Sequence, residues 1–179
     1  MITYAVIGLF LCMCVYFGYF IQVESEQVIN NSYNSARLNR FEKRIIRGKI
    51  LADDGTVLAE TLVGEDGTET RTYPYNDLYA HVLGYSSVGK TGVESLANYY
   101  LLSSHTNPLT KAMNQLADIK SVGDNVTTTL NTKLQAAASE ALGERKGAVI
   151  AMEPGTGKIL AMVSKPAFNP NLSMSSGRV

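Results

Sequence analysis

Cysteine is scarce in this chain of 179 residues, which contains only Cys12 and Cys14. Residues two positions apart do not face each other on a helix, so these thiols cannot pair within one. Since no cysteine follows them, an internal disulfide framework and a cysteine-based zinc site are excluded. Histidine is equally scarce, with only His81 and His105, so we expect neither a metal nor another cofactor.

An excess of either charge is also lacking. The chain has 16 basic and 16 acidic residues and a pI of about 6.7. A general nucleic-acid-binding protein would be basic, so we expect no nucleic-acid partner. Apolar residues make up 45% of the chain, which is enough for a packed core. The length allows one ordinary domain or two small ones.

Charged residues are absent from residues 1–23, which form the longest apolar stretch. As a helix with a rise of about 1.5 Å per residue, this segment would span roughly 35 Å, enough for a hydrocarbon core of about 30 Å. A cleaved signal peptide would carry a basic start and a small-residue cleavage site, and neither is present. The stretch therefore predicts a retained, single-pass membrane helix. Basic residues follow it and none precedes it, which read literally would place the body inside the cell.

Turn signals and alternating apolar residues predict a β-meander after a polar linker, residues 24–46. Asp53-Asp54-Gly55 and Glu65-Asp66-Gly67 are typical hairpin turns. A further strand is predicted over Tyr75–Leu83, which would make His81 a core histidine.

Apolar residues at helical spacing predict helices over Gly92–Leu102, Pro108–Ile119 and Thr132–Leu142, the last capped by Asn131. Leu134, Ala138, Ala141 and Leu142 are expected on its inner face. A final hairpin, residues 146–152 and 158–164, is apolar on both faces and so requires cover on both. We expect it to belong to a larger sheet whose other strands lie beyond Val179.

One glycine-rich segment matches three catalytic patterns at once. Gly84–Thr91 fits the phosphate-binding loop, Ser87–Lys90 fits S-x-x-K, and Lys90–Gly92 fits K-T-G. The last two share Lys90, which cannot occupy both places. A nucleotide site also needs a further strand that ends in Asp, and none follows. The favoured interpretation is a turn between a strand and a helix, and a P-loop NTPase remains an alternative.

A series of short blocks follows in order along the chain. They are RGKILADDGTVLA (47–59), RTYPY (71–75), AHVLGY (80–85), GKTGVE (89–94), GDNVTTTLNTKLQ (123–135), KGAVIAMEPGTGKILAMVSKP (146–166) and FNPN (168–171). Together, behind a membrane helix, these blocks resemble the class B penicillin-binding proteins. The compact pedestal and the linker resemble the penicillin-binding protein A branch most.

This resemblance implies an α+β protein with a single N-terminal transmembrane helix at 1–23 and a juxtamembrane linker at 24–46. A small, non-catalytic mixed α/β pedestal domain would follow at 47–122, and the first helix and hairpin of an incomplete transpeptidase domain at 123–179. The family implies a plasma-membrane protein with its body on the extracytoplasmic side. A basic tail that normally precedes the helix would then be missing before Met1.

The resemblance also implies the chemistry and the partners of the whole protein. Such a D,D-transpeptidase cross-links peptidoglycan stem peptides through an acylated serine, which β-lactams also acylate. Its partner would be a membrane glycosyltransferase of the shape, elongation, division and sporulation type. The catalytic motifs would lie after Asn171, so no catalytic residue is assigned and the chain alone is expected to be inactive. A stand-alone membrane-anchored scaffold of the cell envelope is the alternative.

The signature residues of these blocks are expected to form hydrogen bonds that fix the pedestal or to contact a partner. They are Arg47, Gly48, Asp53, Gly55, Tyr73, Pro74, His81, Gly84, Tyr85, Gly89, Gly92, Glu94, Gln135, Pro154 and Gly157.

Overall fold

The computed structural model describes residues 2–20, 44–86, 90–105, 110, 113–114, 116–117 and 119–173. Most of the predicted linker, Gly89 and much of the predicted helix Pro108–Ile119 lie outside these residues. The first element is helix α1 (Ile2–Tyr19), whose apolar side chains are exposed. Across the described ranges, no helix reaches the combination of length and hydrophobicity that a membrane crossing requires.

The predicted meander is confirmed as part of a four-stranded sheet, which we call the pedestal sheet. The first six strands of the chain are β1 (Ile45–Ile46), β2 (Ile50–Leu51), β3 (Val57–Val63), β4 (Glu69–Thr72), β5 (Ser121–Val122) and β6 (Val126–Thr127). The pedestal sheet has the strand order β4-β3-β2-β6. Strands β2 and β3 are antiparallel, as are β3 and β4, and β6 runs parallel to β2. A separate parallel pair joins β1 to β5.

The strand predicted over Tyr75–Leu83 is wrong, because this segment is helical. It forms a 3-10 helix (Asn76–Tyr79) that continues into helix α2 (Ala80–Leu83). Asn76 has a positive φ of 47° and its N–H donates to the Tyr73 carbonyl, which ends the strand in a turn. The residues buried in α2, Ala80 and Leu83, are three positions apart, as on one face of a helix.

The helical pattern over Gly92–Leu102 is confirmed as two short helices, α3 (Gly92–Leu96) and α4 (Asn98–Leu101). Helix α5 (Thr132–Leu142) is also confirmed, with the Asn131 side chain accepting from the Leu134 N–H at 3.0 Å. Its predicted inner face is wrong in part, because Leu134 is 43% exposed and Gln135 is fully buried.

The core lies between the pedestal sheet and the short helices that follow it. Its buried apolar members are Ile50, Ala52, Leu58, Ala59, Tyr73, Tyr79, Leu83, Ala97, Leu101 and Leu130. Because β6 pairs with β2 and Leu130 joins this core, residues up to 130 pack with the pedestal. The domain limits themselves stay a prediction.

The predicted final hairpin is confirmed as β7 (Gly147–Met152) and β8 (Ile159–Lys165). Pro154 and Gly157 lie in the turn between the two strands. Helix α5 contacts both strands, and Ala161 and Val163 are buried. On the opposite face, Ile150 and Met152 are each 57% exposed. A last short helix, α6 (Pro170–Ser173), follows the hairpin.

Two glycines allow the backbone to cross itself at the centre of the pedestal. The Gly48 N–H donates to the Leu101 carbonyl at 2.9 Å, and the Gly123 N–H donates to the Ile46 carbonyl at 2.8 Å. A Cβ atom on Gly123 would lie 2.0 Å from the Leu101 carbonyl oxygen, and one on Gly48 would lie 2.0 Å from that of Asp124. Any side chain at either position would displace main-chain atoms.

We therefore expect Gly123→Ala to lower the free energy of unfolding by about 2–3 kcal/mol, the usual cost of forcing extra atoms into a packed site. Gly155→Ala is the matched control, because a Cβ atom there meets nothing within 4 Å. Denaturant unfolding followed by circular dichroism would compare the two variants. Equal denaturation midpoints for the two variants would contradict the close backbone contact at Gly123.

Candidate functional site

A carboxylate lies buried between two arginines inside the pedestal. Glu94, in the first turn of α3, is completely buried. Arg47 Nε donates to one of its carboxylate oxygens at 2.7 Å, and Arg71 Nε donates to the other at 2.8 Å. Such charge-assisted hydrogen bonds are about twice as strong as neutral ones.

Further hydrogen bonds extend this charge cluster, which we define as Arg47, Arg71, Tyr73, Glu94 and Asn98. The Arg47 guanidinium also donates to the Asn98 side-chain oxygen and to the Glu94 carbonyl. The Tyr73 hydroxyl donates to Glu94 Oε1 at 3.1 Å. The cluster thereby joins the end of β1, strand β4 with the residue after it, and helices α3 and α4.

Arg71 binds the backbone as well as the carboxylate. Its Nη1 atom donates to the Gly48 carbonyl at 2.6 Å and to Thr61 Oγ1 at 3.1 Å. Its Nη2 atom is buried and has no hydrogen-bond partner within the described part of the chain. Both oxygens of Glu94 are engaged by cations, so the cluster holds segments together and is not arranged for acid–base chemistry.

The two guanidinium groups determine the ionisation of Glu94. Burial raises the pKa of this carboxyl group, but the charges and hydrogen bonds of Arg47 and Arg71 outweigh that effect, so its pKa lies below the ordinary value of 4.5. Burial, together with the negative charge of Glu94, raises the pKa of Tyr73 to about 12. Glu94 is therefore charged and Tyr73 is neutral at physiological pH.

The structure brings together three of the predicted signature residues, Arg47, Tyr73 and Glu94, with Gly48 beside them. Sequence reasoning missed Arg71 and Asn98. Arg71 precedes Tyr73 by two positions, so both side chains project to the same side of an extended chain. Asn98 follows Glu94 by four positions, the spacing that puts two residues on one face of the helix predicted over Gly92–Leu102. Arg71 lies within the RTYPY block, whereas Asn98 lies outside all of the blocks.

Other signature residues lie where the later elements meet the pedestal. Asp53 lies in the turn that Gly55 closes. The Asp53 N–H donates to the Leu130 carbonyl at 3.1 Å, and the Asp53 carboxylate accepts from Asn131 Nδ2 at 3.4 Å. The Gln135 side chain pairs with the backbone of Met162. These contacts fix the first turn of α5.

His81 is exposed on α2 and is not the core histidine that was predicted. Its Nε2 atom lies 2.9 Å from the Pro166 carbonyl oxygen, and its ring packs edge-on against Phe168 with centroids 5.3 Å apart. The Tyr85 ring packs edge-on against the same Phe168 ring, with centroids 6.1 Å apart. Pro74 is exposed after Tyr73, and Pro154 and Gly157 lie in the hairpin turn, away from the charge cluster.

A phosphate-binding loop directly follows a strand, but the glycine-rich segment does not. Helix α2 precedes it, and a Cβ atom on Gly84 would lie 2.1 Å from the Thr91 carbonyl oxygen. Gly92 has a φ of +58°, and a Cβ atom on it would lie 2.5 Å from the Val82 carbonyl oxygen. The strand expected before this segment is therefore wrong, and the expected glycine turn stays a prediction because residues 87–89 lie outside the described ranges. Over the described ranges, no group of three or more His, Cys, Asp or Glu could hold a metal ion.

Comparison with known proteins supports the family resemblance that the sequence blocks indicate. Residues 47–126 match the model of the penicillin binding protein A dimerisation domain. The chain is 40% identical over 139 residues to the peptidoglycan D,D-transpeptidase PbpA of Mycolicibacterium smegmatis, covering 70% of this chain and 27% of that protein. It is 34% identical over 133 residues to the peptidoglycan D,D-transpeptidase MrdA of Acinetobacter baumannii, covering 58% and 19%.

Solved structures agree with this assignment. The D,D-transpeptidase domain of a peptidoglycan glycosyltransferase from Eggerthella lenta is 41% identical with a TM-score of 0.60, over 74% of this chain and 28% of that one. The penicillin G acyl-enzyme of penicillin-binding protein A from Mycobacterium tuberculosis is 33% identical with a TM-score of 0.62, over 74% and 32%. The resemblance of the chain to the class B penicillin-binding proteins, and to the penicillin-binding protein A branch among them, is therefore confirmed. The chain spans about a quarter or less of the length of these two curated relatives.

Neutralising Glu94 is expected to destabilise the pedestal strongly. Glu94→Gln keeps the shape of the side chain but leaves two buried guanidinium groups without a counter-charge, which costs about 3–5 kcal/mol. Glu60→Gln is the matched control, because Glu60 pairs with Lys49 near the surface and should contribute less than about 1 kcal/mol. Denaturant unfolding at neutral pH would measure both, and equal losses would contradict a buried network.

The depressed pKa of Glu94 also predicts a pH dependence. Its pairing contributes fully above the ordinary value of 4.5 and is lost as the pH falls through the lower pKa of the folded state. We expect the wild-type chain to lose stability in this acid range. Glu94→Gln should lose less over the same range, and parallel curves for the two chains would contradict the assignment.

Proposed function

We propose that this chain forms the membrane anchor and pedestal of a peptidoglycan D,D-transpeptidase, followed by the entrance of its transpeptidase domain. The observation that carries the proposal is the extent of the similarity. It continues past residue 126, where the dimerisation-domain match ends, and covers about three quarters of the chain in solved transpeptidase structures. We take residues 1–23 as the anchor, 24–46 as a linker, 47–122 as the pedestal and 123–179 as the entrance.

The exposed apolar face of the hairpin supports this organisation. Ile150 and Met152 project from the face of β7 and β8 that lies opposite the buried Val163. A two-stranded hairpin is marginal alone and gains stability when further strands or helices cover it. Further strands of a transpeptidase domain would provide that cover. The acylated serine, its activating lysine and the oxyanion hole would belong to that domain, and we assign none of them in this chain.

The chain alone is therefore expected to remain unlabelled by a fluorescent penicillin, because acylation requires an activated nucleophile. The penicillin-binding protein A of M. tuberculosis, whose structure contains the penicillin G acyl-enzyme, is the positive control. Labelling would be followed by denaturing gel electrophoresis of native and heat-unfolded samples. A band on the native 179-residue chain that disappears after unfolding would contradict the proposed inactivity.

We also propose that residues 1–23 hold the chain in the plasma membrane, with the body on the extracytoplasmic side beside a membrane glycosyltransferase of the shape, elongation, division and sporulation type. The support is the absence of any charge over these residues and the apolar surface of α1. An arginine in the middle of such a helix costs about 2.5–3.5 kcal/mol on insertion.

Leu11→Arg is therefore expected to move a substantial fraction of the chain out of the membrane pellet after alkaline extraction. Leu62→Arg provides the matched control, because Leu62 is exposed on β3 to a similar degree, 52% against 58% for Leu11. Immunoblots of the membrane and soluble fractions would report the distribution. A shift for both variants, or for neither, would contradict anchoring by α1.

A further inference from the structure

One asparagine of the FNPN block binds the backbone of a single pedestal residue on both sides. Asn171 Oδ1 accepts from the Tyr73 N–H at 2.9 Å, and Asn171 Nδ2 donates to the Tyr73 carbonyl at 3.0 Å. The same Nδ2 group donates to Asn76 Oδ1 at 3.0 Å. The two residues Asn171 and Tyr73 are 98 positions apart in sequence.

This arrangement reproduces the hydrogen bonding of a neighbouring β-strand. In an antiparallel ladder, one residue gives and receives a hydrogen bond with its partner, and a side-chain amide carries the same donor and acceptor. Asn171 thus extends the end of β4 by one pairing step. An ionised carboxylate cannot fill this role, because it accepts but cannot donate.

Gln135 makes the same kind of contact at a second point. Its side chain donates to the Met162 carbonyl and accepts from the Met162 N–H, both at 2.8 Å, and also donates to the Leu78 carbonyl at 2.8 Å. The Asn171 and Gln135 amides both reach residues 73–81 of the pedestal, which we call the docking segment. His81 adds a third contact, to Pro166.

Local hydrogen bonds order the backbone on both sides of the contact between Asn171 and the pedestal. The Asn171 N–H donates to Asn169 Oδ1 at 2.9 Å, and the Leu172 N–H donates to the Asn169 carbonyl at 3.1 Å. The other partner of the Asn171 side chain, Asn76, presents Oδ1 from a turn with positive φ. Side chains that are already ordered lose less entropy when they bind.

Tyr73 connects this contact to the charge cluster. Its backbone binds Asn171, while its hydroxyl donates to Glu94 Oε1 and its ring is 1% exposed in the core. A buried ring cannot tilt without disturbing its neighbours, because protein cores are close-packed. The position of the Tyr73 backbone and the integrity of the cluster therefore depend on each other.

We propose that Asn171 is a positioning residue that seats the FNPN segment on the pedestal through Tyr73, and that this seat is coupled to the buried charge cluster. The inference rests on the proposed function, in which the transpeptidase domain continues from this segment. In that protein the pedestal fixes where the transpeptidase domain begins, and the coupling makes the seat responsive to changes inside the pedestal.

Amide hydrogen exchange of the isotope-labelled 179-residue chain, measured by NMR, tests the seat without any activity assay. Asn171→Asp removes both donated bonds and turns a carboxylate toward two oxygen acceptors, so exchange at the Tyr73 amide should quicken about tenfold or more. The Met162 amide, which Gln135 protects, should keep its rate. Asn169→Asp is the matched control, because Asn169 retains its acceptor role and gives up only a 3.5 Å contact to Asn76.

A milder variant covers the case in which Asn171→Asp opens the whole fold and both amides quicken together. Asn76→Gly removes one acceptor of the Asn171 amide and tolerates the positive φ at that position. It should quicken exchange at Tyr73 severalfold and leave Met162 unchanged. An unchanged Tyr73 rate in this variant would overturn the seat.

Tyr73→Phe tests the coupling, because it removes only the hydroxyl that binds Glu94. We expect faster exchange both at the backbone amide of position 73 and at the Asn171 side-chain amide. Tyr79→Phe, in the same core, should change neither. An effect of Asn171→Asp without an effect of Tyr73→Phe would overturn the coupling. A labelled chain in the penicillin experiment would overturn the proposed inactivity and leave these exchange results standing.

Discussion

The carboxylate of Glu94 is the interaction on which the pedestal depends. Three segments that are far apart in sequence meet at this one side chain: Arg47 follows β1, Arg71 and Tyr73 lie at the end of β4, and Glu94 itself belongs to α3. Two guanidinium groups cannot be buried together without a counter-charge. These segments therefore pack together only while Glu94 is ionised. The pedestal sheet is short, with two strands of only two residues each, and the charge cluster adds cohesion that so small a ladder lacks.

Polar side chains also determine how the later elements attach to the pedestal. Asp53 and Asn131 meet at the start of α5, Gln135 reaches the docking segment from the first turn of α5, and Asn171 binds Tyr73 from α6. Hydrogen bonds of this kind are directional, so they fix register and angle where apolar packing would permit sliding. The contacts thus define one arrangement of α5, β8 and α6 on the pedestal.

Much of this architecture could be predicted from the sequence, and the predictions that failed have physical reasons. The three hairpins and the cap of α5 follow from local chemistry that acts within a few residues. The strand predicted at Tyr75–Leu83 failed because its apolar residues fit either period over so short a run, and the turn at Asn76 selected the helix. Gln135 was overlooked as a core residue because its burial depends on backbone groups of Leu78 and Met162. Long-range partners of this kind leave no periodic signal.

The parallel pairing of β2 with β6 has a consequence for how the protein is made. Lys49 and Asn125, which flank this pairing, are 76 positions apart, and Leu130 completes the same core. Contacts between distant parts of a chain are slow to form because the intervening loop must close first. During synthesis the pedestal sheet cannot be completed until residues near 130 have emerged from the ribosome. Until then β2 has an unpaired edge on the side that β6 later covers, and such an edge can pair with other extended segments.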